Sequence, residues 1–377
     1  MAKRKASDGQ GSGKKTGKAR TRTPKSTRTT RRPKLCTVQI PDSAGRLVPE
    51  DGHYAAQKEL RERLGGYAAM LAPPKPTSRI KTQSNLMGLA IGARERGGRL
   101  TGELSIKVFV RKKVPVSRIA RDALVPPEIN GYPTDVEEIQ DARALSSGSI
   151  APLPIPCGEP IANVNGVEEG TLGCLVGTDG KNCIMSCNHV IANLNVANVG
   201  DSIVFHDPQT GALIPIATLW KWADLVLDDP TAANVLDVAV AELLPGAVSP
   251  QLLGLPLAFP PRDAAVFDNV RKSGAATGVS LGLIDAVNLE LPVILRGRVG
   301  GATVERTAIF GEQIRIRGVG QPFCDDGDSG SVILLVGTNQ PVGLLFAGLP
   351  NGDCFANPIG LIVNTMQLTA MPPLTPA

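Results

Sequence analysis

Short apolar runs separated by turn residues fill the second half of the chain. From Gly166 onward these runs include TLGCLVG, NCIMSCNHVI, LDVAVAELL, SVILLVG and PVGLLFAG. Their length and their Gly and Pro punctuation are typical of β-strands in a barrel or a sandwich. Residues 263–268 divide this half into two stretches of similar length. The pattern therefore predicts a mostly β protein whose second half contains two β units.

The first half combines helical and strand-like periods. Residues 53–71 carry apolar side chains at helical spacing, and a proline-rich stretch ends that pattern. The runs 85–93 and 103–110 have the character of strands, 116–123 that of a short helix and 134–139 that of a further strand. We interpret this part as a small α+β unit. The Ser, Pro and Gly content of residues 145–165 predicts a linker after it.

The positive charge of the chain is confined to its N-terminal tail. Residues 1–34 contain thirteen Lys and Arg and a single acid, although the net charge of the whole chain is only +5. Such a composition predicts a disordered basic tail, and it lacks the apolar stretch of a secretion signal. The tail could make a weak contact with nucleic acid or another polyanion. It has no interleaved aromatic residues for base stacking, so a solvated tail without a specific partner is an equal alternative.

Cysteine usage indicates a reducing compartment. The chain has seven cysteines, an odd number, and no secretion signal, so we expect free thiols and a cytoplasmic protein. No pair of CxxC motifs occurs at zinc-finger spacing, and we therefore expect neither a structural metal nor a cofactor. No apolar run approaches the roughly 20 residues of a membrane-spanning helix, so no membrane contact is expected.

Three histidines limit the candidates for acid–base chemistry. His53 falls in the predicted helix and His206 in a polar loop, whereas His189 ends an apolar strand in the run NCIMSCNHVI. Imidazole has an ordinary pKa near 6.5, which suits a general base at neutral pH. A histidine beside apolar residues is, however, also common as a hydrogen-bonded core residue.

Asp237 is the carboxylate with the most apolar surroundings, in the run LDVAVA. An ionised carboxylate is costly to bury unless it accepts hydrogen bonds. Asp237 could meet that need by accepting the Nδ1–H of a histidine and fixing its tautomer. Alternatively, it stands at the strand entrance and faces solvent. Asp224, Asp228 and Asp229 lie in a more polar loop and are weaker candidates.

The stretch CDDGDSGSV, at 324–332, contains three acids and two glycines around Ser329. A calcium loop would place the acids at alternate positions and end in a glutamate, and this stretch does neither. A nucleophile fits better, because Gly327 and Gly330 permit a tight backbone around the serine. The N–H groups of Gly327 and Ser329 can then converge on a developing oxyanion.

His189, Asp237 and Ser329 occur in the chain order of a chymotrypsin-type triad. Around them SCNHVIA (186–192), LDVAV (236–240) and GDSGS (327–331) resemble the motifs of the chymotrypsin-like, trypsin-fold serine peptidases. Over about 166–368 the chain is similar in particular to bacterial trypsin-like peptidases related to the plant narrow-leaf protease. The shared segments are GTLGC, K-x-G-x-x-TG, GLLFAG and ANPI.

The resemblance implies two antiparallel six-stranded barrels with the active site in the cleft between them. His189 and Asp237 would come from the first barrel, and Ser329 with its oxyanion donors from the second. In secreted relatives a disulfide often ties the loops around the serine. Cys324 and Cys354 could have that role here, although free thiols are favoured.

The resemblance also implies a substrate pocket beside the serine. Its walls would be Phe323, six positions before Ser329, and the strand end formed by Phe346, Ala347 and Gly348. Because Phe323 is not an acid, we expect no preference for Arg or Lys and favour a small or medium apolar residue before the cleaved bond. A substrate peptide could dock by adding a strand at residues 346–348.

Together these features predict a serine endopeptidase that acts on protein or peptide substrates through an acyl-enzyme. A catalytically silent binding protein with the same fold, or a polyanion-binding adaptor acting through the tail, is the alternative. A further possibility is that residues 35–145 act as an inhibitory leader, with self-cleavage in the linker at 145–170. The expected organisation is a basic tail (1–34), a helix-containing connector (35–79), an α+β leader unit (80–145), a linker (146–165), a first barrel (166–262) and a second barrel with a C-terminal helix (263–377).

Overall fold

The computed structural model describes residues 45–72, 85–143, 153–207 and 210–370. The predicted basic tail (1–34) and the first part of the predicted linker lie outside these ranges. The four α-helices of the described residues are α1 (Asp51–Arg63), α2 (Gly66–Leu71), α3 (Asn188–Ile191) and α4 (Ile359–Met366). None of the helices in the part of the chain that the structure describes is long and apolar enough to cross a membrane.

Strands are the predominant secondary structure of the described chain, as expected for a mostly β protein. In chain order they are β1 (Leu86–Arg96), β2 (Arg99–Val110), β3 (Glu128–Ile129), β4 (Tyr132–Glu138), β5 (Ala142–Arg143), β6 (Ile155–Cys157), β7 (Pro160–Asn163), β8 (Glu169–Thr171), β9 (Cys174–Thr178), β10 (Lys181–Ser186), β11 (Ser202–His206), β12 (Leu213–Trp222), β13 (Ala239–Leu243), β14 (Val248–Leu252), β15 (Asn269–Gly274), β16 (Gly278–Val299), β17 (Ala302–Gly318), β18 (Val332–Leu335), β19 (Pro341–Gly348), β20 (Cys354–Pro358) and β21 (Thr369–Ala370).

The helix predicted over 53–71 is divided into α1 and α2. Gly65 and Gly66 both have positive φ angles, 99° and 64°, which an α-helix cannot continue through. The segment predicted as a short helix at 116–123 forms two 3₁₀ turns instead, Val116–Arg118 and Arg121–Ala123. The strand predicted at 134–139 is β4.

The second half of the chain contains a closed six-stranded barrel. Its strands follow the order β15-β18-β19-β20-β17-β16, and β16 pairs back with β15 to close it. All of these pairings are antiparallel. The six strands of the second barrel are therefore confirmed.

The first sheet has eight strands, in the order β21-β9-β10-β13-β12-β11-β7-β8. This exceeds the expected six by two short strands. One of them, β7, lies within the segment predicted as a linker (146–165), where the chain turns back after Asn163 so that β7 pairs with β8. The other, β21, follows α4 and adds to the edge of β9.

The strands of the predicted leader unit continue the sheet of the second barrel. β1 pairs with β16 at Ile91–Val287 and Gly92–Ala286, and β2 and β4 extend the same sheet. The two-residue strand β5 pairs with β16 on one side and with β19 on the other. Backbone hydrogen bonding therefore connects the leader strands directly to the barrel.

β16 and β17 form a long hairpin that extends beyond the barrel and contacts loops of the first sheet. Asp228 and Asn234 donate backbone hydrogen bonds to the carbonyls of Thr307 and Ile309, at 2.7 Å each. A hydrophobic core then runs through both halves and includes side chains of β10, β13, β17 and β19. This packing fixes the two halves against each other along the line where the candidate site lies.

Candidate active site

His189 lies in the single helical turn α3, directly after β10 ends at Ser186. The sequence placed it at the end of a strand, and the structure places it three residues further on. Its side chain is buried, and its Nδ1 lies 2.5 Å from Oδ2 of Asp237. The other oxygen of Asp237 accepts the backbone N–H of His189 at 3.1 Å. Both carboxylate oxygens are therefore committed to this histidine.

This pairing assigns the proton of the neutral imidazole to Nδ1, because a carboxylate can only accept there. Nε2 is then the basic nitrogen. It is buried and has no hydrogen-bond partner among the described residues. Burial lowers the pKa of His189, but the charge and the hydrogen bond of Asp237 outweigh it, and Glu168 adds to them, so the pKa is raised above 6.5. Such a nitrogen is suited to accept a proton from a neighbouring hydroxyl.

Asp237 is held from the opposite barrel. The side-chain oxygen of Asn357, on β20, accepts the N–H of Asp237 at 2.9 Å, and its amide donates to the Asp237 carbonyl at 3.2 Å. Asn357 also donates to the carbonyl of Leu344 on β19, at 3.3 Å. The amide of one asparagine thus joins the aspartate segment of the first sheet to two strands of the second barrel.

Ser329 is fully buried in a loop that contacts the first sheet. Its carbonyl accepts the N–H of Thr171 at 2.6 Å, and its hydroxyl donates to the carbonyl of Phe346 at 3.0 Å. The next residue, Gly330, has φ near 99°, and a side chain there would collide with the carbonyl of Thr171 and the hydroxyl of Ser186. Glycine is therefore required after the serine for the loop to dock.

Hydrogen bonds to one carbonyl connect the serine loop to the histidine segment. The oxygen of Leu345 accepts the N–H of Gly330 at 2.7 Å and the thiol of Cys187 at 3.3 Å. Gly330 follows Ser329 directly, and Cys187 precedes His189 by two positions. The structure thus brings the three predicted residues to the same junction between the two β units.

The loop before the serine is organised around Asp328. Its carboxylate accepts the N–H groups of Asp325, Ala276 and Thr277 at 3.0, 3.1 and 3.2 Å. It also forms an ion pair with Lys272, with 3.0 Å between Nζ and Oδ2, and both side chains are fully buried. Asp328 therefore has a structural partner and is not a calcium ligand. The flanking residues Gly327 and Ser329, expected to supply the oxyanion donors, are held by Thr171, which donates its hydroxyl to the Gly327 carbonyl at 2.7 Å and its N–H to the Ser329 carbonyl at 2.6 Å.

The predicted pocket residues are all buried. Phe323 packs in the core of the second barrel, and Phe346 packs against Phe310 with 4.6 Å between ring centroids. Ala347 and Gly348 continue β19 past the serine. The ring centroid of Phe323 also lies 5.9 Å from Nζ of Lys272, so this predicted wall of the pocket borders the ion pair of the serine loop.

Cys187, His189 and Asp237 also present ligand atoms within 4.8 Å of one another, a grouping that could hold a metal ion. A metal requires the cysteine as a thiolate. Burial raises the pKa of the Cys187 thiol well above its ordinary value, and the Asp237 charge adds to that shift. The thiol and both Asp237 oxygens also already have partners. The arrangement fits a hydrogen-bonded acid–base pair better than a metal site.

Sequence reasoning did not single out Asn357, Lys272 or Thr171. All three lie in segments shared with the resembling peptidases, GTLGC, K-x-G-x-x-TG and ANPI, but no role was predicted for them. A lysine within a buried strand was nevertheless a signal that a buried acid had to be nearby.

The other histidines lie apart from the site: His53 accepts the N–H of Glu50, and His206 lies 3.5 Å from Glu169 on the surface. Asp224, the less favoured candidate carboxylate, accepts the indole N–H of Trp222.

The cysteines that the structure describes are free thiols. Cys324 and Cys354 lie close enough for a side-chain hydrogen bond, and burial together with this contact raises the pKa of Cys354 well above its ordinary value. The two thiols are therefore adjacent, as a disulfide would require, but they are not bonded to each other.

No protein-family model matches the chain, and a search of curated proteins finds no match. Solved structures that are similar to it include three proteases. Protease A of Thermobifida fusca is 18% identical over 57% of this chain and 97% of its own, with a TM-score of 0.39. A glutamic-acid-specific serine protease is 14% identical over 58% and 100%, with a TM-score of 0.40. Chymotrypsin of Cellulomonas bogoriensis is 16% identical over 58% and 98%, with a TM-score of 0.36.

The described chain is mostly β, with its sheets in barrel-like arrangements.

Proposed function

We propose that this protein is a serine endopeptidase in which Ser329 is the nucleophile, His189 the general base and Asp237 the residue that orients the histidine. The observation that carries the proposal is the buried contact of His189 with Asp237, 2.5 Å between Nδ1 and Oδ2, at the junction where the Ser329 loop docks. Burying a carboxylate together with an imidazole is costly unless they act as a pair. A base with one nitrogen committed and the other available is the arrangement that a serine nucleophile needs.

In the proposed reaction the hydroxyl of Ser329 turns from the Phe346 carbonyl to Nε2 of His189. Its oxygen attacks the peptide carbonyl carbon while its proton moves to Nε2. The N–H groups of Gly327 and Ser329 stabilise the resulting oxyanion. His189 then gives that proton to the leaving amine as the C–N bond breaks, which leaves an acyl-enzyme on Ser329. Water, deprotonated by His189, releases the acid product and restores the serine.

We further propose that the site prefers a small or medium apolar residue before the cleaved bond. An acid at the position of Phe323 would attract an Arg or Lys side chain of the substrate, but Phe323 is apolar. Phe346, Ala347 and Gly348 form a buried strand end without charge. A cleavage profile of a peptide library tests this directly. Cleavage mainly after Arg or Lys would refute it.

Labelling with a fluorophosphonate probe tests the nucleophile. The wild-type chain is expected to be labelled, Ser329→Ala to be unlabelled, and casein hydrolysis to fall on the order of 10⁶-fold in that variant. Ser331→Ala is the matched control, since Ser331 lies in the same loop, is equally buried and donates only to the Asp328 carbonyl, at 2.7 Å. It should keep its labelling.

Labelling that persists in Ser329→Ala would contradict the assignment of the nucleophile. A wild-type chain that folds but is neither labelled nor active would favour the catalytically silent binding protein instead. A circular dichroism spectrum unchanged between the two serine variants shows that the comparison concerns chemistry and not folding.

A further inference from the structure

The strand edge that borders Ser329 is the place where a peptide substrate has to run. Gly330 donates its N–H to the carbonyl of Leu345, and Ser329 donates its hydroxyl to the carbonyl of Phe346. These contacts place the serine beside β19 at the point where the strand continues to Gly348. On its other edge β19 is paired with β20, at Ala347–Phe355 and Gly348–Cys354. A peptide whose carbonyl reaches Ser329 can therefore hydrogen-bond only along the edge 346–348 that faces the serine.

That edge is already in contact with another part of the chain. Arg143, in β5, pairs with Gly348 in antiparallel register. On its far side β5 pairs in parallel with β16, where Ala142 and Arg143 face Val293 and Ile294. The last described residues before the predicted linker thus fill the gap between β19 and the long hairpin. Antiparallel addition to β19, two residues from Phe346, is the geometry that an extended substrate would adopt.

We infer that β5 is an internal occupant of the substrate edge, so that the leader unit restricts access of peptide substrates to Ser329. This inference rests on the proposed peptidase function. The occupant is a segment of the chain itself, and it competes with a substrate peptide for the backbone groups of Gly348. The peptidase is active on extended peptides only to the extent that Arg143 leaves this edge.

The hold on Arg143 is weak enough for such competition. β5 has only two residues, and its pairing with β19 is confined to one position. The guanidinium of Arg143 pairs with Glu305 at 3.0 Å, but both side chains are about half exposed, and exposed ion pairs contribute little. Ala142, in contrast, is buried in the main core. Ala142 therefore anchors the segment, and Arg143 is the part that can be displaced.

Two substitutions at one position separate the backbone contact from the side-chain contact. Arg143→Pro removes a backbone donor and restricts the preceding residue, so the pairing with Gly348 is lost. We expect kcat/KM for casein to rise about fivefold, the factor that corresponds to removing an opening cost near 1 kcal/mol. Arg143→Ala removes the ion pair with Glu305 but keeps the backbone, and casein hydrolysis should remain near the wild-type rate.

The fluorophosphonate probe distinguishes this inference from the proposed function, because the probe is small and needs no strand edge. Equal labelling of the wild-type chain and both variants, with faster casein hydrolysis in Arg143→Pro alone, supports the inference. Equal labelling with unchanged casein hydrolysis in the proline variant overturns the inference and leaves the peptidase standing. Absence of labelling in every folded form overturns the proposed function itself.

A measurement on the wild-type full chain keeps the inference testable if Arg143→Pro does not fold. A chloromethyl ketone of the peptide Ala-Ala-Pro-Ala places a peptide on the strand edge as Nε2 of His189 displaces its chloride and Ser329 adds to its ketone. Diisopropyl fluorophosphate, which loses fluoride to Ser329, places no peptide there. We expect amide hydrogen exchange in residues 139–143 to accelerate at least several-fold with the peptide reagent and to stay unchanged with the small one. Unchanged exchange with both reagents attached would overturn the inference.

Discussion

Lys272 and Asp328 form a fully buried ion pair one residue from the proposed nucleophile, with 3.0 Å between Nζ and Oδ2. Lys272 comes from β15, and Nζ also lies 2.5 Å from the hydroxyl of Thr277. The same carboxylate binds three backbone N–H groups of the surrounding loops. The pair thus fixes the serine loop to the barrel wall through charge as well as hydrogen bonds.

Lys272→Met is expected to destabilise the fold strongly, because it leaves the buried Asp328 carboxylate without its cation. Removing one partner of a buried pair typically costs about 3–5 kcal/mol. Urea unfolding at pH 7 measures the change. Lys181→Met is the matched control, since its pair with Glu242 is partly exposed and its ammonium stacks on Trp220, and its loss should not exceed about 1 kcal/mol. Equal losses in both variants would contradict the structural role of the Lys272 pair.

The pH dependence of hydrolysis should report His189. Because Asp237 and Glu168 raise its pKa above 6.5 despite burial, the neutral base forms only at higher pH, and kcat/KM should climb with pH through a pKa above 6.5. Glu168→Gln removes one of the raising charges, so the rising limb should move to lower pH. Glu242→Gln, an exposed acid elsewhere on the first sheet, should leave the profile in place. A limb that stays fixed in Glu168→Gln would show that this charge does not act on His189.

His189 also gives the stability of the fold a defined sign of pH dependence. A histidine whose pKa is raised in the folded state binds its proton more tightly there than in the unfolded chain. Its contribution to stability is therefore fully present below the unfolded pKa, near 6.5, and is lost as the pH rises through the folded value.

The sequence points to His189, Asp237 and Ser329 because each belongs to a short segment with its own chemical requirement, and their catalytic roles stay a prediction. A catalytic His189 requires an acid to orient its imidazole, and a buried Asp237 requires a hydrogen-bond donor. Ser329 requires glycines beside it that permit a tight turn of the backbone. The partners that hold these residues were harder to foresee. Asn357 lies 120 positions from Asp237, and Thr171 lies 158 from Ser329. Contacts over such separations depend on how the strands pair, and apolar alternation does not specify that pairing.

The pairing of the leader strands with the second barrel could not be predicted from the sequence for the same reason. Residues 85–110 read as ordinary strands, and nothing in their pattern indicates that β1 pairs with β16, nearly 200 positions later. The unusual length of β16, 22 residues, was also not apparent, since Pro292 and several polar residues interrupt its apolar pattern. Register shifts lie at the polar positions Asp285, Asn288 and Glu290, where β-bulges interrupt the pairing with β17, whereas the pairing continues unshifted through Pro292.

Asn357→Leu is expected to reduce catalysis without touching the substrate. The variant keeps the approximate size of the side chain but leaves the N–H of Asp237 without its acceptor, a loss of about 1–3 kcal/mol in a buried site. Because Asn357 positions Asp237, kcat should fall more than KM changes, and the rising limb of the pH profile should move. Asn182→Leu, on the exposed part of β10, is a control that should alter neither. A variant that loses stability but keeps its kcat and pH profile would contradict the positioning role.

A buried cluster of charges joins the leader strands to the second barrel and should determine the acid stability of the protein. Glu137, on β4, accepts hydrogen bonds from Arg315 at 2.7 and 2.8 Å and from Arg317 at 3.0 Å, both on β17. Lys107 on β2 lies 3.2 Å away. Burial alone would raise the pKa of Glu137, but these three cations outweigh it and hold the pKa well below 4.5.

A carboxyl whose pKa is lowered by folding stabilises the native state above its unfolded pKa, and that stabilisation disappears as the pH falls through the folded value. Glu137→Gln should therefore cost about 3–5 kcal/mol in urea unfolding at pH 7, because it leaves buried cations uncompensated. The stability of the variant should also change less than that of the wild type as the pH falls from about 4.5 toward 2. Glu138→Gln, the exposed neighbour that accepts only the N–H of Lys113, is the matched control and should follow the wild-type curve. If both variants follow that curve, Glu137 cannot be the group that links the leader strands to the barrel electrostatically.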